Sequence, residues 1–253
     1  MPVFEGKPMD SGFYAACTAL VARTQALDTI ANNLANANTV GYRAEQNVFS
    51  SMMANAADQS ESSFSQAVNQ YGVLSGTTID ATQGALEKTG NDLDVGIEGS
   101  GYFVVQTADG EMYTRNGAFQ VSSNGQLVTS SGDPVMGDKG PITMPPGAVS
   151  ISADGTISSN GAVSGKLSVV EFPDSTELQS MGNTYYSAPT GAATPAVKSK
   201  VRQGMLESSN VNPVTSVVEL ITAQRSAEMV QRALTMFNSE MDKTAAQDLA
   251  KVS

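Results

Sequence analysis

The sequence predicts an α+β fold: N- and C-terminal helices pairing as a coiled-coil-like unit, with a mainly antiparallel β domain inserted between them. Two patterns carry this reading. Apolar residues recur with a seven-residue period at both ends of the chain. Between them lie short β-prone segments separated by Asn-Gly and Asp-Gly pairs, the strongest short-range hairpin signal. The expected segments are 1–43, an N-terminal helical part; 44–75, an extended linker or arm; 76–209, the β domain; and 210–253, a C-terminal helix that pairs with the first.

The first helix is expected after Asp10 or Ser11, either of which suits an N-cap. Phe13, Leu20, Leu27 and Leu34 form its seven-residue repeat, with Ala16, Ile30 and Ala37 at companion positions and Arg23 interrupting them. The stretch Leu27–Arg43 carries four asparagines, at 32, 33, 36 and 38. Asn is a poor interior helix residue because its amide competes for backbone hydrogen bonds, so these side chains are expected to act on neighbours. Gly41 supplies an αL stop. Spacing alone leaves this stretch equally readable as the end of an ordinary amphipathic helix.

Residues 44–71 are polar and weakly patterned, with Phe49, Met52, Met53 and Phe64 scattered among Ser, Ala, Gln and Asn. They read as a mobile linker or as an arm ordered on assembly. From Gly72 the period shifts towards two. Tyr102–Gln106 is a buried strand and Asp109-Gly110 the turn to a return strand, Glu111–Arg115. Further strands are expected at 118–121, 126–129, 149–152, 156–158, 166–172 and 185–186, with 189–195 a loop. Lys198, Lys200 and Arg202 alternate and so share one face of an extended chain, either a solvated edge or a contact for an acidic neighbour. Asn212 and Pro213 then open the last helix as N-cap and N1. Its stripe is Leu220, Ala227, Leu234 and Met241, joined by Ala223, Val230 and Phe237. One apolar stripe per terminal helix is most simply satisfied by antiparallel pairing.

Composition excludes several function classes. The chain of 253 residues carries 25 acidic and 14 basic residues, a net charge of -11, which argues against nucleic-acid binding. It has no His, so the commonest general base and metal ligand is missing, and Cys17, its only cysteine, lies among Ala and Leu like a packed residue. No Ser-x-x-Lys or Gly-x-Ser-x-Gly arrangement occurs, and the Gly96, Gly99, Gly101 cluster precedes a strand where a dinucleotide fingerprint opens a helix. Asp92 and Asp94 lack the rest of a Ca²⁺ loop. The reading is of a protein that is not an enzyme, with no cofactor, no metal site, no small-molecule substrate and no membrane insertion.

Three motifs add a family resemblance. LDTIANNLANANTVGYR (27–43) resembles the N-terminal signature of bacterial flagellar rod and hook proteins. NDLDVGIEGSGYFVVQTADGEMYTRNG (91–117) resembles the start of their central β domain, and VRQGMLESSNVNP (201–213) the lead-in to their C-terminal helix. The three occur in the family's order and touch both ends and the middle. The resemblance implies a structural subunit of the flagellar basal-body rod, in the periplasmic space, exported by the flagellar type III apparatus without a cleaved signal peptide. Hook proteins have larger central domains, so the length favours a rod protein. The partners implied are other rod subunits and copies of this chain in a helical assembly that carries torque. The assembly interface implied is Phe13, Leu20, Leu27, Ile30, Asn33, Leu34, Asn36, Tyr42, Arg43, Phe49, Leu220, Ala227, Val230, Leu234, Phe237 and Met241. The resemblance starts at Met9, so the residues before it read as an extension or a misassigned start. The alternative from another class is a secreted adhesive or carbohydrate-binding β domain with helical flanks. Such a site needs clustered aromatics, and 8 Phe, 7 Tyr and no Trp weigh against it.

Overall fold

The computed structural model describes residues 9–50, 73–173 and 178–252, with side chains over 17–48, 77–173, 178–236 and 239. Helix α1 runs Met9–Ala35. It begins ahead of the expected caps Asp10 and Ser11 and ends well short of Gly41. The reason for the early end lies in the asparagines. Asn33 turns its amide onto the chain that leaves the helix, and Asn36, Ala37, Thr39 and Tyr42 close short turns onto Asn33, Leu34, Asn36 and Thr39. Gly41 does adopt the left-handed conformation, with φ of 70°.

Strand β1, Glu45–Ser50, pairs with β2, Val73–Ile79. The start of the segment read as a linker is therefore a strand. Met52, Met53 and Phe64 lie outside the described residues, as does the side chain of Phe49. Next come β3, Leu86–Lys88, and β4, Val95–Glu98. Then follow β5, Tyr102–Thr107, and β6, Gly110–Thr114, a hairpin in which Thr107 faces Gly110. The first four residues of β5 are all buried, as a strand covered on both faces requires. β7, Gln120–Val121, and β8, Leu127–Val128, are shorter than expected; Ala118 and Gln126 make only single bridges.

β9, Met136–Gly137, and β10, Gly140–Pro141, form a small hairpin that the period-two pattern does not announce. β11, Val149–Ile151, β12, Thr156–Ser159, and β13, Ala162–Lys166, make a three-stranded sheet. The strand expected over 166–172 is broken: Leu167 leaves β13 to bridge Gly137, and β14 occupies only Val169–Glu171. β15, Gln179–Gly182, and β16, Tyr185–Ser187, follow. β17, Thr194–Pro195, stands where a loop is expected, recruited by pairing with β14. β18, Lys200–Gln203, pairs with β4, and β19, Met205–Glu207, with β3. Helix α2 spans Pro213–Val252, opening at the expected proline.

The largest sheet has the order β15-β16-β6-β5-β14-β17, with every pairing in it antiparallel. One apolar core backs it. Val95, Ile97, Phe103, Val105, Val135 and Ile157 are at most 0% exposed, and the rings of Phe103 and Phe119 meet edge to face at 5.1 Å. Contacts divide the described residues into two units. One holds 9–32, 47–50, 73–77 and 213–252; the other holds 33–46, 78–173 and 178–212. The end of the Asn-rich signature thus folds with the β strands.

In the first unit, the residues of α1 that are buried are small: Ala22, Ala26 and Thr29. They lie beside the seven-residue seam, whose described members Leu20, Leu27 and Ile30 are half-buried. The Thr29 hydroxyl is shared between the Gln25 carbonyl and the Asn47 side-chain oxygen, each 3.1 Å away. On α2 shelter follows the seam: Ser216 and Leu234 are buried and Leu220, Ala223, Ala227 and Val230 half-buried. Its other faces leave Val214, Val218, Ile221, Met229 and Met236 exposed.

Candidate functional site

In the β unit, the end of the N-terminal signature meets the strands through a buried charge cluster. Gly41 brings the chain against the backbone at Arg115 and Asn116, where a Cβ would collide with both residues. Its amide donates to the Glu207 carbonyl at 2.7 Å. That close approach, together with its positive φ, requires glycine here. The next two side chains then turn inward: Tyr42 is 8% exposed and Arg43 1%.

Arg43 Nη2 lies 2.7 Å from Glu207 Oε1, and Arg115 Nη1 donates to Glu207 Oε2 at 3.1 Å. All three side chains are 1% exposed. Arg115 Nη2 also donates to the Gly99 carbonyl at 2.7 Å, and its guanidinium lies 4.8 Å from the centre of the Tyr102 ring. Glu207 Oε1 further accepts from the Gly84 amide at 3.0 Å. The Tyr186 hydroxyl accepts from the Arg43 amide at 3.0 Å. One carboxylate therefore answers two guanidinia. Burial pushes the Arg115 guanidinium below its ordinary value and Glu207 opposes this, while Arg43 adds to the depression. Arg43 Nη2 is off the line of a hydrogen bond to Glu207, so that contact is ionic; Arg43 Nε and Nη1 and Arg115 Nε find no partner among the described residues. Asp80 is a further negative group near Arg43. Its carboxyl is held low chiefly by the Thr82 hydroxyl, with the Thr82 amide, Arg43 and Gln46 helping and burial opposing.

A second layer of amides fixes the same junction. Asn33 Oδ1 accepts from the Tyr42 hydroxyl at 3.0 Å and from the Glu45 amide at 2.8 Å, while its Nδ2 donates to the Glu45 carbonyl at 2.8 Å. Burial, then the nearby Glu45, pushes the Tyr42 phenol up to about 12, so it remains the neutral donor this bond needs. Asn210 Oδ1 accepts from the Ala44 amide at 2.7 Å, and its Nδ2 reaches the Asp80 and Thr82 carbonyls at 3.2 and 3.0 Å. What it can do is hold three distant chain segments in one register.

Asn33, Tyr42 and Arg43, singled out from the sequence, are brought together here by contacts within the chain. Asn36 stands nearby, half-buried, accepting from the Thr39 hydroxyl at 3.1 Å. Leu34 is half-buried at the end of α1. Leu20, Leu27, Ile30, Leu220, Ala227, Val230 and Leu234 lie along the two helices. Phe13, Phe49, Phe237 and Met241 have side chains outside the described residues. Sequence reasoning missed Arg115, Glu207 and Asn210. A signal was present: Arg43 and Arg115 are the only basic residues in the first two motifs, and Glu207 is the only acidic residue in the third.

The three segments that meet in this cluster are those that known families share. Residues 13–43 match the model described as flagella basal body rod protein, 96–165 that of the flagellar hook protein FlgE/F/G D1 domain, and 202–248 that of the flagellar basal body rod FlgEFG protein C-terminal. The chain belongs to the flagellar basal-body rod protein family. Its opening run from Met9 and its GMLESSNVNP stretch look most like FlgF, with FlgG second, and the relatives agree with that order. The flagellar basal-body rod protein FlgF of Caulobacter vibrioides is 34% identical over 249 residues, covering 97% of this chain and 100% of the relative. FlgF of Salmonella typhimurium is 36% identical, over 90% and 94% of the two chains. FlgG of Buchnera aphidicola subsp. Acyrthosiphon pisum is 32% identical, over 93% and 96%.

Proposed function

We propose that this chain is a FlgF-like structural subunit of the flagellar basal-body rod. It works by assembling with other rod subunits and with its own copies, and it performs no catalysis. The similarity to FlgF over nearly the whole chain carries this reading. The exposed apolar side chains on α2 support it, because a helix that leaves Val218, Ile221 and Met229 uncovered has surface to give to partners. In the assembled rod the terminal helices pair as a coiled-coil-like unit along their seams. The subunit interface comprises Phe13, Leu20, Leu27, Ile30, Leu34 and Phe49 from the N-terminal part and Leu220, Ala227, Val230, Leu234, Phe237 and Met241 from α2. Asn33, Asn36, Tyr42 and Arg43 complete that interface at the end of the N-terminal signature. Contacts of this heterologous kind, repeated without closing, build a helical rod. The chain reaches the periplasmic space through the flagellar type III export apparatus, with no cleaved signal peptide. The segment 44–75 serves as a contact arm.

The test is made in the source organism. Deleting the gene should abolish swimming, and an epitope-tagged chain should restore it and co-purify with detergent-extracted basal bodies. Unimpaired swimming of the deletion strain, with the tagged chain absent from basal bodies, would contradict the reading.

A further inference from the structure

The β unit carries an exposed knob before one strand and an open groove at that strand's far end. Val197 is 88% exposed, the most exposed large apolar side chain among the described residues. Lys198 and Lys200 follow it, exposed and without an ion pair among the described residues. The knob is firmly seated. The Ser199 amide and hydroxyl both donate to Glu171 Oε1, at 3.1 and 2.7 Å, and the Gly101 amide donates to Ser199 Oγ at 2.9 Å. The glycine cluster before β5 makes this seat: a Cβ on Gly99 or Gly101 would press on Ser199.

At the other end of β18, Gln203 Nε2 donates to the carbonyls of Asp92 and Val149, at 2.9 and 3.0 Å. Those two residues belong to a groove of about 670 Å³ lined by Leu93, Val121, Met144 and Pro146 as well. Its lining mixes these apolar side chains with Asn91, Ser122 and Ser123, and its exposed charged side chain is the Asp92 carboxylate. The knob thus offers one apolar side chain followed by two cations, and the groove offers a partly apolar lining beside an anion.

The geometry points to a head-to-tail contact in which Val197, with Lys198 and Lys200, docks into the Asp92 groove of a second copy of this chain. The occupant is a copy because the complement of the two lysines is present on the chain itself, in the exposed Asp92 carboxylate at the groove. Val197 precedes β18 and the groove adjoins the strand's far end, so one contact uses one copy's knob and the other's groove and leaves a groove and a knob free for the next, as an open assembly needs. This inference rests on the reading of the chain as a rod subunit and adds a contact between β units to those of the helices.

Two arms test it in cells with Cys17 replaced by Ser. In the first, Val197→Cys and Val121→Cys are introduced singly and together, and isolated basal bodies are treated with a short bismaleimide. Covalent oligomers of this chain should form only when both cysteines are present. Linkage through Val197→Cys alone, or linkage to a different protein, overturns the second-copy contact. In the second arm, Lys198→Glu and Asp92→Lys should each lower incorporation into basal bodies by about two- to fivefold, the range of one exposed ion pair. The double reversal should restore it. Purified variants are first melted to confirm an intact β unit. Undiminished incorporation of both single variants, with the unsubstituted chain present in basal bodies, overturns this inference and leaves the rod reading standing. Absence of the unsubstituted chain from basal bodies overturns the reading beneath it.

Discussion

Glu207 is the residue on which the junction turns. Its carboxylate is buried between Arg43 and Arg115 and also accepts from the Gly84 amide. Replacing it with Ala leaves two buried guanidinia without a counter-charge, and breaking such a set from one side costs about 3–5 kcal/mol. Glu207→Ala in the full chain should therefore lower the melting midpoint of the β unit, followed by the near-ultraviolet tyrosine signal, by more than 5 °C, since ~1 kcal/mol moves a domain of this size by roughly 2–8 °C. Replacing all three residues by Met and Leu should cost far less, because the desolvation of the charges is removed together with their attraction. Equal losses in the two variants would mean that Glu207 acts through packing alone. This residue was not legible in the sequence, although its motif was. Its partner Arg115 is 92 positions away, and no local pattern reports a pairing at that distance.

Elements set by local rules were legible; elements set by tertiary pairing were not. The hairpin signalled by Asp109-Gly110, whose two turn residues are Ala108 and Asp109 with Gly110 already paired to Thr107, and the proline that opens α2 were both legible from residue type. β9, β10 and β17 have two residues each, include Gly or Pro, and exist because a neighbouring strand pairs with them. The end of α1 was misplaced for a related reason: Asn33 spends its amide on Glu45, and that bond depends on where the chain returns. Along α2 the sheltered positions fall on the seven-residue stripe, with Leu234 9% exposed. A charge there must be buried without a partner, at a cost of several kcal/mol. Leu234→Asp should block incorporation into basal bodies and leave the melting of the β unit unchanged. Gln231→Asp, on an exposed face of the same turn, should incorporate normally. Normal incorporation of Leu234→Asp would remove the stripe from the assembly interface.

The molecule divides its labour between its two units. The β unit satisfies itself: one apolar core, a six-stranded antiparallel sheet and a charge cluster that fastens the segment beyond α1 to the strand before α2. The helical unit does not. Between 213 and 236 only Ser216 and Leu234 of α2 are buried, and long helices depend on such packing for most of their stability. The account's central claim is that the β unit is complete in the single chain and the terminal helices are completed by other subunits. Amide hydrogen exchange of the purified, monomeric full chain tests it most directly. Residues 41–46 and the strands between 86 and 207 should exchange slowly, and residues 17–32 and 213–236 at least about a hundredfold faster, a gap of roughly 3 kcal/mol in opening free energy. Equal protection of the helices and the strands in the monomer would contradict it.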